Sequence, residues 1–285
     1  MAYGINCLLA PDLASARVMA RDLDDLNKAR REIEQGMQVE AEQVLKSLNF
    51  NEEHFDEGNL PSAIALYQSD WHQGVIGIVA GRLKEKFHRP CIVFANSSDE
   101  VDENCEIKGS ARSIPGLHIR DLLEHISSQY PDLILKFGGH AMAAGLSING
   151  QNFEKFQQLF NEAAEQWLTK EHLQSILLSD GELSAQNMTL EFAEQLRNAG
   201  PWGQNFPEPL FDDEFTLVQQ RIVGEKHLKL VVKKAGQIFD GIAFNVDIKA
   251  WPNPNAEKVQ LAYHLDINEF RGKRSVQLMV KHITT

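Results

Sequence analysis

Cysteine is scarce in this chain of 285 residues, and what it has is badly placed for staples or zinc. Cys7, Cys91 and Cys105 are odd in number, and their gaps of 84 and 14 residues match no zinc-ligand spacing such as Cys-x-x-Cys, so all three read as reduced, buried small hydrophobes. No stretch reaches the roughly 18 consecutive apolar residues of a membrane span. The opening MAYGINCLLAPDLASAR also lacks the basic start and long apolar run of a signal peptide, which makes the cytoplasm the expected compartment. Phosphate-cradling P-loops, Gly-x-Ser-x-Gly elbows, His-Glu-x-x-His pairs and Asp-His-His clusters are all missing from the sequence, so a complete hard-metal or hydrolase site is not visible. Basic residues are outnumbered too. With 28 Lys and Arg against 40 Asp and Glu the net charge is −12, which taken alone argues against a polyanionic partner.

What is present suits a folded protein of about two domains. Hydrophobic residues make up 43% and charged residues 24%, near the globular average. The acidity is unevenly spread: from Leu217 onward there are 11 basic and 6 acidic residues, which fits an anion-binding C-terminal module. After Pro11 and Asp12, apolar side chains at Val18, Leu23, Leu26, Ile33, Met37, Val44 and Leu45 have helical spacing, predicting a helix from about Ser15 to Leu48. Such a helix is about 50 Å long and reads as an interdomain strut in need of a neighbour at its front end.

Residues 61–180 alternate short apolar runs (SAIALY, PCIVFA, EIKGSARS, MAAGLSI) with helical patterns at Gly74–Phe87, His118–Ser128 and from about Asn152, the signature of an α/β domain. Gly200-Pro201-Trp202-Gly203 and Pro207-Glu208-Pro209 break both periodicities, and 181–210 is expected to be a linker. From residue 211 the period is two, at Leu228, Leu230 and Val232, at Val259, Leu261, Tyr263 and Leu265, and at Val276, Leu278 and Val280. About five strands with turns at Val223-Gly224-Glu225, Lys234-Ala235-Gly236 and Arg271-Gly272-Lys273 suit a small barrel.

Several segments could carry chemistry. On a strand over Glu106–Ser113, Lys108, Ser110 and Arg112 share a face opposite Ile107, Gly109 and Ala111. That face is either an anion site, with guanidinium, hydroxyl and ammonium donors together, or an ordinary solvent-facing side. Gly138-Gly139-His140 is either a turn or a place where backbone N–H groups meet a ligand beside a proton-carrying ring. The helix after Asp70-Trp71-His72 carries Gly74, Gly77 and Gly81, which point to close backbone packing, and then Arg82. In the barrel, Lys226, His227 and Lys229, and the hairpin Phe270-Arg271-Gly272-Lys273-Arg274, combine aromatic and basic groups as single-strand binders do.

In order, WHQGVIGIVAGRL, GSARSIPGLHIRDLL, FGGHAMAAGLSI, GPWGQNFPEPLF and the final barrel resemble the RecJ family of single-strand-specific bacterial exonucleases, within the DHH superfamily. The one departure is Asn205-Phe206, where family members often have Gly-Asn-Pro. The resemblance implies an α/β DHH-associated domain preceded by a long connecting helix and followed by a small all-β OB-fold barrel. The corresponding expected bounds are 1–60 for the end of a DHH domain and the helix, 61–180, a linker over 181–210, and 211–285. It also implies the C-terminal part of a 5′-to-3′ exonuclease of DNA repair and recombination. The catalytic DHH domain, which holds Mn2+ or Mg2+, lies outside this sequence; no metal is expected here, and hydrolysis is not expected of the chain alone. The implied partners are single-stranded DNA, single-strand-binding protein and the DHH domain.

By the same resemblance Ser110, Arg112 and Ser113 hold a phosphate with Arg82 nearby, while Gly138, Gly139 and His140 face the metal site, His140 in a supporting catalytic role. Lys108, Lys226, Lys229, Phe270, Arg271 and Lys273 complete the expected substrate contacts. Two alternatives compete: a small-nucleotide phosphodiesterase of the same superfamily, against which the barrel weighs, and a non-catalytic platform for repair partners.

Overall fold

The computed structural model describes residues 2–47, 60–97, 105–203 and 206–285, without the side chains of 44–47. The chain divides into two compact units, Met1–Ser175 and Ile176–Thr285.

The first unit opens with α1 (Ala2–Leu8) and the long α2 (Leu13–Ser47). Asp12 starts α2 as a cap: its carboxylate accepts from the Ser15 N–H at 2.8 Å and the Ser15 hydroxyl at 2.9 Å, and the backbone bond holds that carboxyl below its ordinary pKa. Along the strut the expected apolar stripe is buried only in part. Val18, Leu26 and Ile33 are exposed, whereas Met37 and Ala41 enter a core with Val79, Leu83 and the first two strands. Polar contacts fix this rear half: the Trp71 indole donates to Glu40 at 2.9 Å, and Lys86 meets Glu42 at 3.0 Å. Val44, Leu45 and Leu48 fall outside what is described.

Five strands follow: β1 (Ile64–Tyr67), β2 (Cys91–Asn96), β3 (Glu106–Arg112), β4 (Lys136–Gly139) and β5 (Ala143–Asn149), in the order β1-β2-β3-β5-β4. β1 and β2 are parallel and joined through α3 (Ile76–Phe87); the other pairs are antiparallel. One face is closed by α4 (Ile119–Gln129) and α5 (Phe153–Trp167), whose Leu122, Ile126, Phe156 and Phe160 bury Phe94, Ile107, Ala111, Leu146 and Ile148. On the other, α3 packs on Ile64, Leu66, Cys91, Val93 and Ala95 of β1 and β2. That asymmetry creates the site described below.

In the second unit, β6 (Phe211–Val223), β7 (His227–Lys234), β8 (Gln237–Ala243), β9 (Lys258–Phe270) and β10 (Lys273–Thr284) close into a barrel in the order β10-β8-β7-β6-β9. The turns expected from Ala235-Gly236 and Arg271-Gly272 are two-residue hairpin loops with positive φ at both positions, 48° and 85°, and 51° and 75°. The stretch 181–210 differs from a plain linker. It contains α6 (Leu190–Ala199), capped by the Thr189 hydroxyl, and sends Leu183, Met188 and Ala193 into the barrel core. Asn205 lies outside the described residues. A buried polar cluster fastens this stretch: Asp213 accepts from the Tyr263 phenol and from Lys234, and the Lys234 ammonium also reaches the Leu183 carbonyl at 2.9 Å and Glu182 at 2.8 Å.

Among the described residues no helix is long and apolar enough to cross a membrane.

Candidate functional site

On β3 the side chains alternate as the period-two reading requires. Ile107, Gly109 and Ala111 are buried, while Lys108 is exposed and Ser110 and Arg112 are half-buried on the opposite face. The register carries this face across the sheet: Ser110 lies opposite Val93 on one side and Gly145 on the other, and Gly145 lies opposite Gly138. Val93 is under α3, but Gly138 and Gly145 are exposed. A Cβ at Gly138 would meet nothing within 4 Å, and one at Gly145 only the Gly109 carbonyl at 3.9 Å. The floor beside Ser110 is therefore bare backbone, open to an incoming chain.

Arg112 forms the wall of this strip. Its Nη1 donates to the Ser110 hydroxyl at 3.1 Å and to the Ala111 carbonyl at 2.8 Å. Behind it stands α3, so close at Gly77 that a Cβ there would come within 2.9 Å of both Arg112 Nη2 and Ser110 Oγ. Among the described residues no carboxylate pairs with Arg112. A half-buried guanidinium next to a hydroxyl and a side-chain-free floor can receive an anion. Gly77 thus packs closely, as read from the sequence. Gly81 does not, since nothing lies within 4 Å of its missing Cβ.

The other expected residues separate. Lys108 shares the open face, directly across from Ser147, and Lys136 on β4 lies in the same row. Lys136 sits 3.3 Å from Glu106, whose carboxyl is held low in pKa by the Ser147 hydroxyl and then by that ammonium. Ser113 leaves the face: it is buried beyond the end of β3, and its hydroxyl donates to the Leu117 carbonyl at 2.7 Å. Arg82 is five residues from Gly77, about 140° around the helix. It lies 3.5 Å from Glu34 and 3.8 Å from Glu85. Gly139 has φ 148° and turns the chain, and the exposed His140 donates its backbone N–H to the Ala143 carbonyl at 2.8 Å. Among the described residues no three His, Cys, Asp or Glu side chains gather to hold a metal ion.

On the barrel, Lys226 is exposed in the β6–β7 turn, and Lys229 points outward from β7 with Asp240 at 3.6 Å. Phe270 is exposed, and the Arg271 guanidinium lies 5.1 Å from its ring centre, with Lys273 opening β10. Because β10 runs parallel to β8, this hairpin lies at the opposite end of β7 from Lys226. Sequence reading missed Gly145 and Lys136 as parts of the open face and Gly77 as the backing of Arg112. The alternation of MAAGLSI could have revealed Gly145; the others depend on pairing and helix placement.

Comparison with known proteins matches this architecture. The DHHA1 domain family matches residues 60–166 and the RecJ OB domain family residues 179–282. The single-stranded-DNA-specific exonuclease RecJ of Salmonella typhimurium is 53% identical over 99% of this chain, and that of Escherichia coli 52% identical over 99%. The chain spans about half the length of these relatives, 48% in each case. A crystal structure of RecJ in complex with Mg2+ from Thermus thermophilus superposes with a TM-score of 0.71 at 23% identity, covering 100% of this chain and 40% of that one. With an α/β sheet domain and a closed five-stranded barrel in the order of the two matched families, and with relatives at this identity, the chain belongs to the RecJ family, of which it carries the DHHA1 and OB domains.

Proposed function

We propose that this chain is the polynucleotide-gripping part of a 5′-to-3′ single-stranded-DNA exonuclease of DNA repair and recombination. It binds single strands and does not cleave them alone. One observation carries the reading: the Arg112 guanidinium, with no carboxylate partner among the described residues, and the Ser110 hydroxyl stand beside the bare backbone of Gly145 and Gly138. A phosphate there meets two donors, and the strand behind it runs over glycines that leave room for sugar and base. Lys108 on the same face, and Lys226, Lys229, Phe270, Arg271 and Lys273 on the barrel, add backbone charge and a stacking surface. Ser113 serves by shaping the turn after β3 rather than by contact, and Arg82 by anchoring α2.

In this reading hydrolysis uses a divalent ion, Mn2+ or Mg2+, held by a DHH domain outside this sequence, with the exposed His140 and the Gly138-Gly139 turn facing it. The ion supplies an activated water. This chain's part is to position the phosphate. Relatives named as single-stranded-DNA-specific exonucleases support the substrate class. Single-strand-binding protein is the protein partner the family implies.

The test is anisotropy with a labelled oligodeoxynucleotide at several salt concentrations. Affinity should fall linearly on a log–log plot against salt, and Arg112→Ala should weaken binding roughly tenfold or more, the loss of charged hydrogen bonds. Binding that ignores both salt and the substitution overturns the phosphate assignment. Mn2+-dependent cleavage that persists through repeated chromatography overturns the claim that the chain alone is inactive.

A further inference from the structure

The outer wall of the barrel carries a cluster beyond the contacts already named. Residues directly opposed on neighbouring strands share a face. Arg221 of β6 lies opposite Lys229 of β7, and Lys229 opposite Ile242 of β8. Two residues along, a step of about 6.8 Å, the outward positions are His227 and Phe244, the residue following β8. Phe244 is 51% exposed, and the His227 ring meets it edge-on with centres 5.0 Å apart and planes at 70°.

The aromatic pair is held by backbone. His227 Nδ1 accepts the Asn245 N–H at 3.2 Å, the Val246 N–H donates to the Lys226 carbonyl at 3.0 Å, and Asn245 turns the chain at φ 55°. An apolar ring in water, fixed by its own loop, offers a stacking surface without ordering cost on binding. Beside it Gln219, Arg221, Lys229, Val231 and Asp240 line a cleft. Asp240 lies 3.6 Å from Lys229, and among the described residues no carboxylate pairs with Arg221. Two cations stand on adjacent strands and one of them has the single carboxylate of the cleft, which leaves this cleft able to take an anion.

We infer that Phe244, Arg221 and Lys229 form a one-nucleotide subsite, the Phe244 ring stacking on a base and the two cations taking the adjacent phosphate. His227 is a positioning residue that sets the ring of Phe244. The assignment rests on the proposed binding of single-stranded DNA and adds where one base and one phosphate sit.

The experiment compares two labelled probes of equal length with the full chain: oligo-dT, and an abasic strand that keeps the phosphates and lacks bases. Phe244→Ala should weaken oligo-dT binding about tenfold and leave the abasic strand unaffected, and Phe244→Tyr should restore it. Arg221→Ala should weaken both and lower the salt slope by about 0.7. Unchanged oligo-dT affinity in Phe244→Ala, or equal losses on both probes, overturns the subsite. If Arg112→Ala weakens binding and neither barrel substitution does, the subsite falls and the broader reading stands. If the unaltered chain binds neither probe, both fall.

Discussion

Gly77 and Gly139 are two glycines with opposite reasons for being glycine. At Gly77 the missing Cβ leaves space for the tip of Arg112 and the Ser110 hydroxyl, each 2.9 Å away, and both a flexible guanidinium and a hydroxyl can rotate aside. Gly77→Ala should therefore keep or slightly raise the melting temperature, since alanine is favoured over glycine inside a helix by about 1 kcal/mol. It should nonetheless weaken oligonucleotide binding severalfold by displacing Arg112. A fall in melting temperature with intact binding would show that α3 moves instead. At Gly139 the obstacle is backbone, the Ala143 carbonyl at 2.5 Å, and φ is 148°. Gly139→Ala should thus lower the melting temperature, by roughly 1–3 kcal/mol of stability, through strain no side-chain motion relieves. At this scale the sequence was legible where periodicity rules. The faces of Lys108, Ser110 and Arg112 follow from strand alternation, but Ser113 does not, because β3 ends at Arg112 and parity is lost at the turn.

Whole elements depend on partners that a linear pattern does not display. β4 contains Gly138-Gly139, poor strand formers that read as a turn, and becomes a strand because β5 pairs with it from Gly139 back to Lys136. Likewise 181–210 reads as a linker from its Gly and Pro content, yet Asp213, Lys234 and Tyr263 fasten Leu183 to the barrel. The Asp213 side chain is fully buried, so Asp213→Ala would leave the Tyr263 phenol and the Leu183 N–H without their acceptor and the Lys234 ammonium with only Glu182 and the Leu183 carbonyl. A loss of about 3–5 kcal/mol is expected, read as an earlier denaturant midpoint of the barrel unit. A loss under 1 kcal/mol would mean that the cluster is incidental.

The same cluster sets an alkaline limit. Burial, and then the bond to Asp213, push the Tyr263 phenol above its ordinary pKa. Burial opposes the Lys234 charge, but its bonds to Asp213 and Glu182 outweigh this and raise its pKa. Both groups keep their protons in the folded chain at pH values where the unfolded chain loses them. Their stabilisation is complete below the unfolded values near pH 10 and declines as pH rises past them. Circular dichroism melts should therefore fall steeply above about pH 10, and less steeply in Tyr263→Phe.

The proposed reading puts one anion-receptive surface in each compact unit: the Ser110–Arg112 strip with its glycine floor, and the outer wall of the barrel. Each is small, and the −12 net charge of the chain opposes a polyanion everywhere else, so either surface alone should bind weakly. Joining two weak sites in one chain turns the second contact into an intramolecular one, worth roughly a hundredfold or more once a strand can reach both. Affinity plotted against oligonucleotide length should accordingly show a step rather than a steady rise. Arg112→Ala and Arg221→Ala should each abolish the step while leaving short-strand binding at the surviving site. Combining them should remove most of the binding that remains on long strands, because each single substitution leaves the other surface to hold the strand. A smooth length dependence, with one of the two substitutions silent, would mean that one surface holds the strand and the other is an ordinary basic face.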